Sequence, residues 1–182
     1  MKTYVTSDLH FGHANIMKFC PTNRARFKND VSYMDEEMIR EWNEIVQPED
    51  LTYILGDVAF HNAQKATAIM QRLNGTKILV EGNHDKKALH DKTFYNCFAE
   101  VHKYLDINYN GTKIVMSHYP FLEWDQMHRG ALHLYGHLHG GKTGMEQYRM
   151  QDVGMDATGQ IVVLLDDVVR DLLKKEIKNH HH

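Results

Sequence analysis

Two periods of apolar residues alternate along the chain. Lys2 to Ser7 is a short run with β-branched and aromatic residues and predicts a strand. Residues 21–31 are polar, contain Pro21 and predict a loop. From Ser32 the period lengthens. Met34, Met38, Trp42, Ile45 and Val46 form one helical stripe, Ser32 to Asp35 fits a capping box, and Pro48 ends the helix. Leu51 to Leu55 predicts the next strand. Residues 63–73 then predict a helix with Ala66, Ile69, Met70 and Leu73 on one face and Asn74-Gly75 as its stop. Lys77 to Val80 predicts a third strand. This alternation implies right-handed parallel crossovers.

Beyond residue 97 the pattern changes. Val101 to Asn108 and Lys113 to Met116 flank Asn110-Gly111, a strong hairpin signal. Ala131 to Tyr135, Met150 to Met155 and Gln160 to Leu165 predict further strands. A last helix, capped by Asp166 or Asp167, turns Val168, Val169, Leu172, Leu173 and Ile177 inward. The first half is therefore α/β and the second mostly antiparallel, which gives two packed sheets flanked by helices.

Five polar groups each follow a predicted strand: Asp8-Leu9-His10, Gly56-Asp57, Gly82-Asn83-His84-Asp85, Ser117-His118 and Gly136-His137-Leu138-His139. In open α/β sheets, ligands bind outside the carboxyl ends of the strands. All five groups converge there if the strands run as read. Asp, Asn and His without Cys favour Mn, Fe, Zn or Ni over a thiolate site. Seven such ligands exceed one tetrahedral ion. Two ions about 3.5–4 Å apart that share one carboxylate use them naturally.

Composition narrows the remaining classes. The chain has 182 residues, 42 % hydrophobic and 25 % charged, which is the globular norm. The longest apolar run, Ile161 to Leu165, is far too short to cross a bilayer, and no apolar stretch follows Met1 to form a secretory signal. A net charge of −3 gives no global case for nucleic acid or an anionic membrane and leaves only a local patch open. Two cysteines, Cys20 and Cys97, make no disulfide framework and fit a reducing cytoplasm. His180 to His182 read as a purification-tag remnant, and residues 1–179 as a single domain.

In this order the five motifs resemble the calcineurin-like metallophosphoesterase superfamily, whose pattern is Asp-x-His, Gly-Asp, Gly-Asn-His-(Asp/Glu), a lone His and Gly-His-x-His. Asp8 to Asn15, Trp42-Asn43, Leu73-Asn74-Gly75 and Tyr135-Gly136-His137 look more narrowly like its small bacterial and phage phosphoesterases. The resemblance implies a four-layer α-β-β-α sandwich and two divalent ions, Mn²⁺ first and Fe, Zn or Ni next. Asp8, His10, Asp57 and His139 would hold one ion, and Asp57, Asn83, His118 and His137 the other. A hydroxide bridging the ions would attack a small phosphate ester or nucleotide. His84 would act on the leaving group, with Asp85 orienting it. Phe60 stands where the protein Ser/Thr phosphatases of the superfamily have a second Asp, which argues against a phosphoprotein substrate.

Other residues carry weaker signals. His13, Asn15 and His61 are candidates for substrate contact or ligand support. Arg24, Arg26 and Arg129 are candidate phosphate clamps set against a reading as solvated surface. Trp124 is a candidate base-stacking residue set against a core role. The leading function is phosphodiester-capable hydrolysis. The alternatives are a phosphomonoesterase or a non-catalytic binding scaffold, and a scaffold would be expected to lose ligands that are all retained here.

Overall fold

The structure is a computed structural model that describes residues 1–178, so the tag remnant lies outside the described residues. In chain order the elements are β1 (Thr3–Thr6), α1 (Ile16–Phe19), α2 (Pro21–Arg24), α3 (Val31–Ile45), β2 (Leu51–Ile54), α4 (Ala63–Arg72), β3 (Thr76–Val80), α5 (Lys86–Leu89) and α6 (Lys92–Tyr95). There follow β4 (Glu100–His102), β5 (Leu105–Tyr109), β6 (Thr112–Met116), β7 (Leu132–Tyr135), β8 (Met150–Asp152), α7 (Met155–Thr158), β9 (Val163–Leu164) and α8 (Leu165–Leu172). Short 3₁₀ helices occupy Ala25–Phe27 and Met127–Arg129.

One sheet has the order β4-β3-β2-β1-β9, parallel except for β9. The other has the order β5-β6-β7-β8. The strands of the first sheet bury both faces, as period 2 requires. Tyr4, Ile54 and Leu79 pack toward Met34, Met38 and Trp42 of α3 and Ile69 and Met70 of α4. Their neighbours Val5, Tyr53, Leu55 and Val80 face Ile114, Met116, Leu132 and Leu134 of the second sheet, and Leu165, Val168 and Leu172 of α8 join that core. Outside the second sheet, Val115, Trp124, Met127, Tyr135, Met145 and Met150 make a third cluster. The fold is thus the α/β four-layer sandwich expected, with a thin fourth layer of 3₁₀ helix and loop.

Several expectations need correction. Helix α3 starts one residue before Ser32. Asp30 is its N-cap and accepts from Tyr33 N at 3.0 Å, so the Ser32–Asp35 box does not form. Asp35 is used elsewhere. Residues 21–31 are not all loop, since α2 and a 3₁₀ turn lie there. The run Val101 to Asn108 is two strands. β4 pairs with β3 in the first sheet, and β5 pairs antiparallel with β6 in the second. A continuous β-like stretch hides the switch between sheets at Lys103 and Tyr104. Nor is the second half mostly antiparallel, since β6, β7 and β8 run parallel. Parallel neighbours need crossovers of about a dozen residues or more. The crossovers here are loops with no helical period to reveal them. The last helix ends at Leu172, leaving Leu173 and Ile177 exposed. The Asn110-Gly111 turn does form, with both residues at positive φ as the hairpin requires.

His133 shows how a buried polar group holds the thin layer in place. It is fully buried on β7, Nδ1 donates to Val115 O at 3.2 Å and Nε2 accepts from Phe121 N at 3.0 Å. Its ring stacks on Phe121 at 5.1 Å. Both nitrogens are used by the neutral ring, and burial pulls its pKa down to about 4. The unfolded histidine titrates near 6.5. Below that pH the unfolded chain takes up a proton that folded His133 refuses, so stability falls as pH drops from about 6.5 toward 4. The loss from this residue is roughly 3 kcal/mol when complete. Urea unfolding of the protein and of His133→Gln across this range checks it. The variant should be less stable at pH 7.5 and lose less on acidification. Parallel pH profiles would sink the assignment.

Candidate metal centre

Each motif leaves the carboxyl end of a parallel strand: β1, β2 and β3 in one sheet, β6 and β7 in the other. The loops are stitched to one another. Asp8 N donates to Gly56 O at 3.0 Å, His137 N to Asp8 Oδ2 at 2.8 Å, and His118 Nδ1 to Leu55 O at 2.8 Å. Close approach demands glycine at Gly136, where a Cβ would fall on Ser7 Oγ and Asp8 Oδ2. Gly56, at φ +93°, would place a Cβ 2.6 Å from Gly82 Cα.

The backbone is strained at the donor residues themselves. Asp8, His10, Asp57, His137 and His139 all have φ between 50° and 71°. Non-glycine residues are uncommon there and persist only where the surroundings over-determine them, typically at functional sites.

Residues of the five motifs make two donor groups, and a third, Cys20, His139 and Asp156, lies beside the first. Asp8, His10 and His139 form the first, and Asp57, His118 and His137 the second. Asp57 joins them, with Oδ2 3.7 Å from His10 Nε2 and 3.6 Å from His118 Nε2. In the first group Asp8 Oδ1 lies 3.7 Å from His10 Nε2 and 3.8 Å from His139 Nε2. Asn83 reaches the second group, with Oδ1 2.9 Å from His118 Nε2. All seven expected ligands therefore face one another.

The chemistry of this set calls for cations. Asp8 Oδ1 and His10 Nε2 are buried with no hydrogen-bond partner. His118 Nδ1 faces a carbonyl and must donate, so the neutral ring presents a lone pair at Nε2 to Asn83 Oδ1 and Asp57 Oδ2. His139 is set the same way, Nδ1 lying 2.7 Å from Asp156 Oδ2. Acceptors turned on acceptors repel unless a positive charge sits between them. The residues present fit divalent ions with N and O preferences.

Titration follows the crowding. Burial raises the Asp8 pKa, but the imidazoles of His10, His139 and His118 around it outweigh that, and the net shift is downward. Burial holds His10 down, and His137 too, with His118 adding to the effect there. For His139 burial is overcome by Asp156 and Asp8, and its pKa rises. Burial raises Asp85.

The expected supporting residues fall in different places. Asp85 does not orient the His84 ring. Its carboxylate accepts from Asp57 N and Gly82 N at 2.8 Å and Val58 N at 2.9 Å, tying two motif loops together. His84 donates its backbone N–H to Asp57 Oδ1 at 2.9 Å, while its ring packs on Phe60 at 4.4 Å with Nε2 3.9 Å from Asp57 Oδ2. His13 lies beside His10 with Nδ1 3.3 Å from His10 Nδ1, and its ring stacks on Phe60 at 3.8 Å. Burial takes its pKa down to about 4, with His10 contributing. His61 pairs with Asp35, which also accepts from Gly12 N, and so fixes the loop after His10. Asn15 is exposed at the head of α1 and makes no capping bond.

The three arginines are engaged or placed away from the donor groups. Arg24 is fully buried, neither clamp nor solvated surface. It grips Asp156 through two bonds at 2.6 and 2.9 Å and donates to Asp8 O and Leu9 O, holding the strained turn. Arg26 pairs with Glu41 on the surface. Arg129 lines a separate cavity that contains no motif residue. Trp124 is buried with Nε1 donating to Ala131 O, a core role. Sequence reasoning missed Asp156 and Asp152, which orient His139 and the Gly140 turn. The Asp-Val-Gly-Met-Asp run after β8 repeats the strand-then-Asp/Gly pattern and was their signal.

The chain is 37 % identical over 140 residues to an uncharacterised protein of Methanocaldococcus jannaschii, covering 76 % of this chain and 69 % of that one. It is 26 % identical to the gene 66 protein of Mycobacterium phage L5, covering 99 % and 95 % of the two chains. A crystal structure of a protein of unknown function from Aquifex aeolicus superposes with a TM-score of 0.72 at 26 % identity, over 93 % of this chain and 98 % of that one. The family model of calcineurin-like phosphoesterases matches residues 1–180, and the chain belongs to that family of metal-dependent phosphoester hydrolases.

Proposed function

We propose that this protein hydrolyses phosphodiesters, at least as well as monoesters, with two divalent cations of which manganese is the first candidate. Asp8, His10, Asp57 and His139 would hold one, and Asp57, Asn83, His118 and His137 the other. The observation that carries this reading is Asp57 Oδ2, which lies 3.7 Å from His10 Nε2 of one donor group and 3.6 Å from His118 Nε2 of the other. When bound, such an ion pair neutralises charge on the phosphoryl oxygens and makes water acidic enough to lose a proton near neutral pH. The chain's own residues do the rest. Arg24, Asp156 and Asp85 hold the ligand loops, Asp57 Oδ1 fixes the His84 backbone, and the half-exposed His84 ring is free to donate a proton to the departing oxygen.

Diester use is supported by what surrounds the centre. A monoester carries nearly two negative charges and a diester one. The candidate guanidinium groups are engaged with Asp156 and Glu41 or lie in another cavity. The measurement is kcat/KM for nitrophenyl phosphate against bis-nitrophenyl phosphate with excess Mn²⁺. The diester should equal or exceed the monoester. A monoester preference above about tenfold, ~1.4 kcal/mol in transition-state binding, would assign a phosphomonoesterase instead. We read residues 1–179 as one catalytic domain acting in the cytoplasm. Cys20 and Cys97 are free thiols, and no described helix is long and apolar enough to cross a membrane.

A further inference from the structure

Two cavities flank the metal centre. One, of about 230 Å³, is lined by Asn83, His118, Tyr119, Lys86, Lys103 and Glu81 among others. The other, of about 360 Å³, is lined by His84, Phe60, His61 and Lys87 among others. Each shares at least one motif residue with the centre and has an exposed aromatic ring, Tyr119 or Phe60. Each also has at least one exposed lysine.

The segment Gly82 to Leu89 produces this arrangement. Residues three apart on a helical turn share a side, and adjacent residues diverge. Asn83 and Lys86 therefore fall to one cavity, His84 and Lys87 to the other. The Tyr119 hydroxyl lies 3.3 Å from Asn83 Oδ1 and its ring meets His137 at 4.6 Å, so the first cavity opens directly on the second donor group. With Glu81 set against Lys86 and Lys103, the first cavity keeps one positive charge. In the second, His61 is bonded to Asp35 and Lys87 remains. These charges stand out on a chain of net charge −3.

We propose that the two cavities take the two arms of an internal phosphodiester in a single-stranded oligonucleotide. This rests on the diester reading of the centre. A monoester has one arm and leaves a cavity unfilled, and an uncharged alcohol arm makes no use of the lysines. A nucleotide chain presents on each side a planar ring and then another phosphate, which aromatic surface and lysine recognise together. Hydrolysis adds water across one P–O bond. The water oxygen joins phosphorus, and the bond to the arm beside Phe60 and Lys87 breaks. That oxygen leaves as a hydroxyl with the proton from His84, the proton lost by the water passes to solvent, from which His84 is reprotonated, and the phosphate stays on the other fragment.

The test compares Mn²⁺-loaded protein on bis-nitrophenyl phosphate, a short single-stranded oligonucleotide and its duplex. It adds fluorescence anisotropy of a labelled single strand with EDTA-treated protein. The single strand should be cut internally and faster than the duplex. Lys86→Glu with Lys87→Glu should reduce its kcat/KM about tenfold more than that of bis-nitrophenyl phosphate. The same pair should make the salt slope of log Kd shallower by about 1.4, which is two single-strand phosphate contacts. Lys65→Glu with Lys174→Glu, the same charge change outside both cavities, should leave the slope as it was. Hydrolysis of bis-nitrophenyl phosphate without cleavage or lysine-dependent binding of the single strand overturns this inference alone. Equal cleavage of duplex and single strand does so too. Failure on both diesters overturns the phosphodiesterase reading beneath it.

Discussion

Asp57→Asn should lower the occupancy of both proposed metal positions and remove nearly all activity. The substitution is nearly isosteric, and Asn tolerates the left-handed backbone that Asp57 adopts at φ 55°. The Oδ1 that accepts from His84 N has an equivalent in Asn, so the Gly-Asn-His loop keeps its anchor. What changes is Oδ2. A shared negative oxygen between His10 and His118 becomes a neutral NH₂ pointing at two ring nitrogens. Charge neutralisation by metal is worth several kcal/mol in such reactions. Activity should therefore fall by on the order of 10³-fold or more, ~4 kcal/mol. Metal content by elemental analysis should drop below one ion per chain, while the thermal midpoint in EDTA stays close to that of the parent. A variant that still binds two ions would show that Asp57 is not the shared ligand.

Such an isolated charge change is readable because Asp57 lies at a strand end and the one bond its side chain accepts from the backbone survives in Asn. That placement was legible in the sequence, since an apolar run followed by Asp, His or Gly-Asn marks where a strand hands over to a loop. The supporting layer was far less legible. Arg24 lies 132 residues from Asp156, and nothing local shows that its guanidinium is buried beneath Asp8. Asp35 resembles a capping residue because its spacing from Ser32 is right. Tertiary demand from Gly12 and His61 uses it instead. Asp85 follows His84 directly, which suggested that the two interact, yet its carboxylate turns back to three backbone N–H groups. Local pattern gives periodicity and loop chemistry. Partners distant in sequence decide what a buried charge does. The parallel part of the second sheet, β6 to β8, was hidden likewise, because its crossovers at 117–131 and 136–149 carry no helical stripe.

His84→Ala separates the leaving-group role from metal binding. The ring stands half-exposed at the edge of the centre, with Nε2 3.9 Å from Asp57 Oδ2, and it belongs to neither donor group. Its neighbour Phe60 limits the directions it can swing, and the backbone N–H to Asp57 survives truncation of the side chain. Both ions should therefore remain while kcat falls by roughly 10²–10⁴-fold, the usual range for loss of a positioned general acid. The size of the loss should depend on the alcohol released. Nitrophenolate departs with little protonation and should show a small deficit. An alkyl or nucleoside alkoxide needs the proton and should show the full one. Plotting log kcat against leaving-group pKa for both proteins gives the result, with a steeper negative slope for the variant. Equal slopes with a uniform drop would assign His84 to positioning the phosphoryl group. Loss of one ion would place it among the ligands.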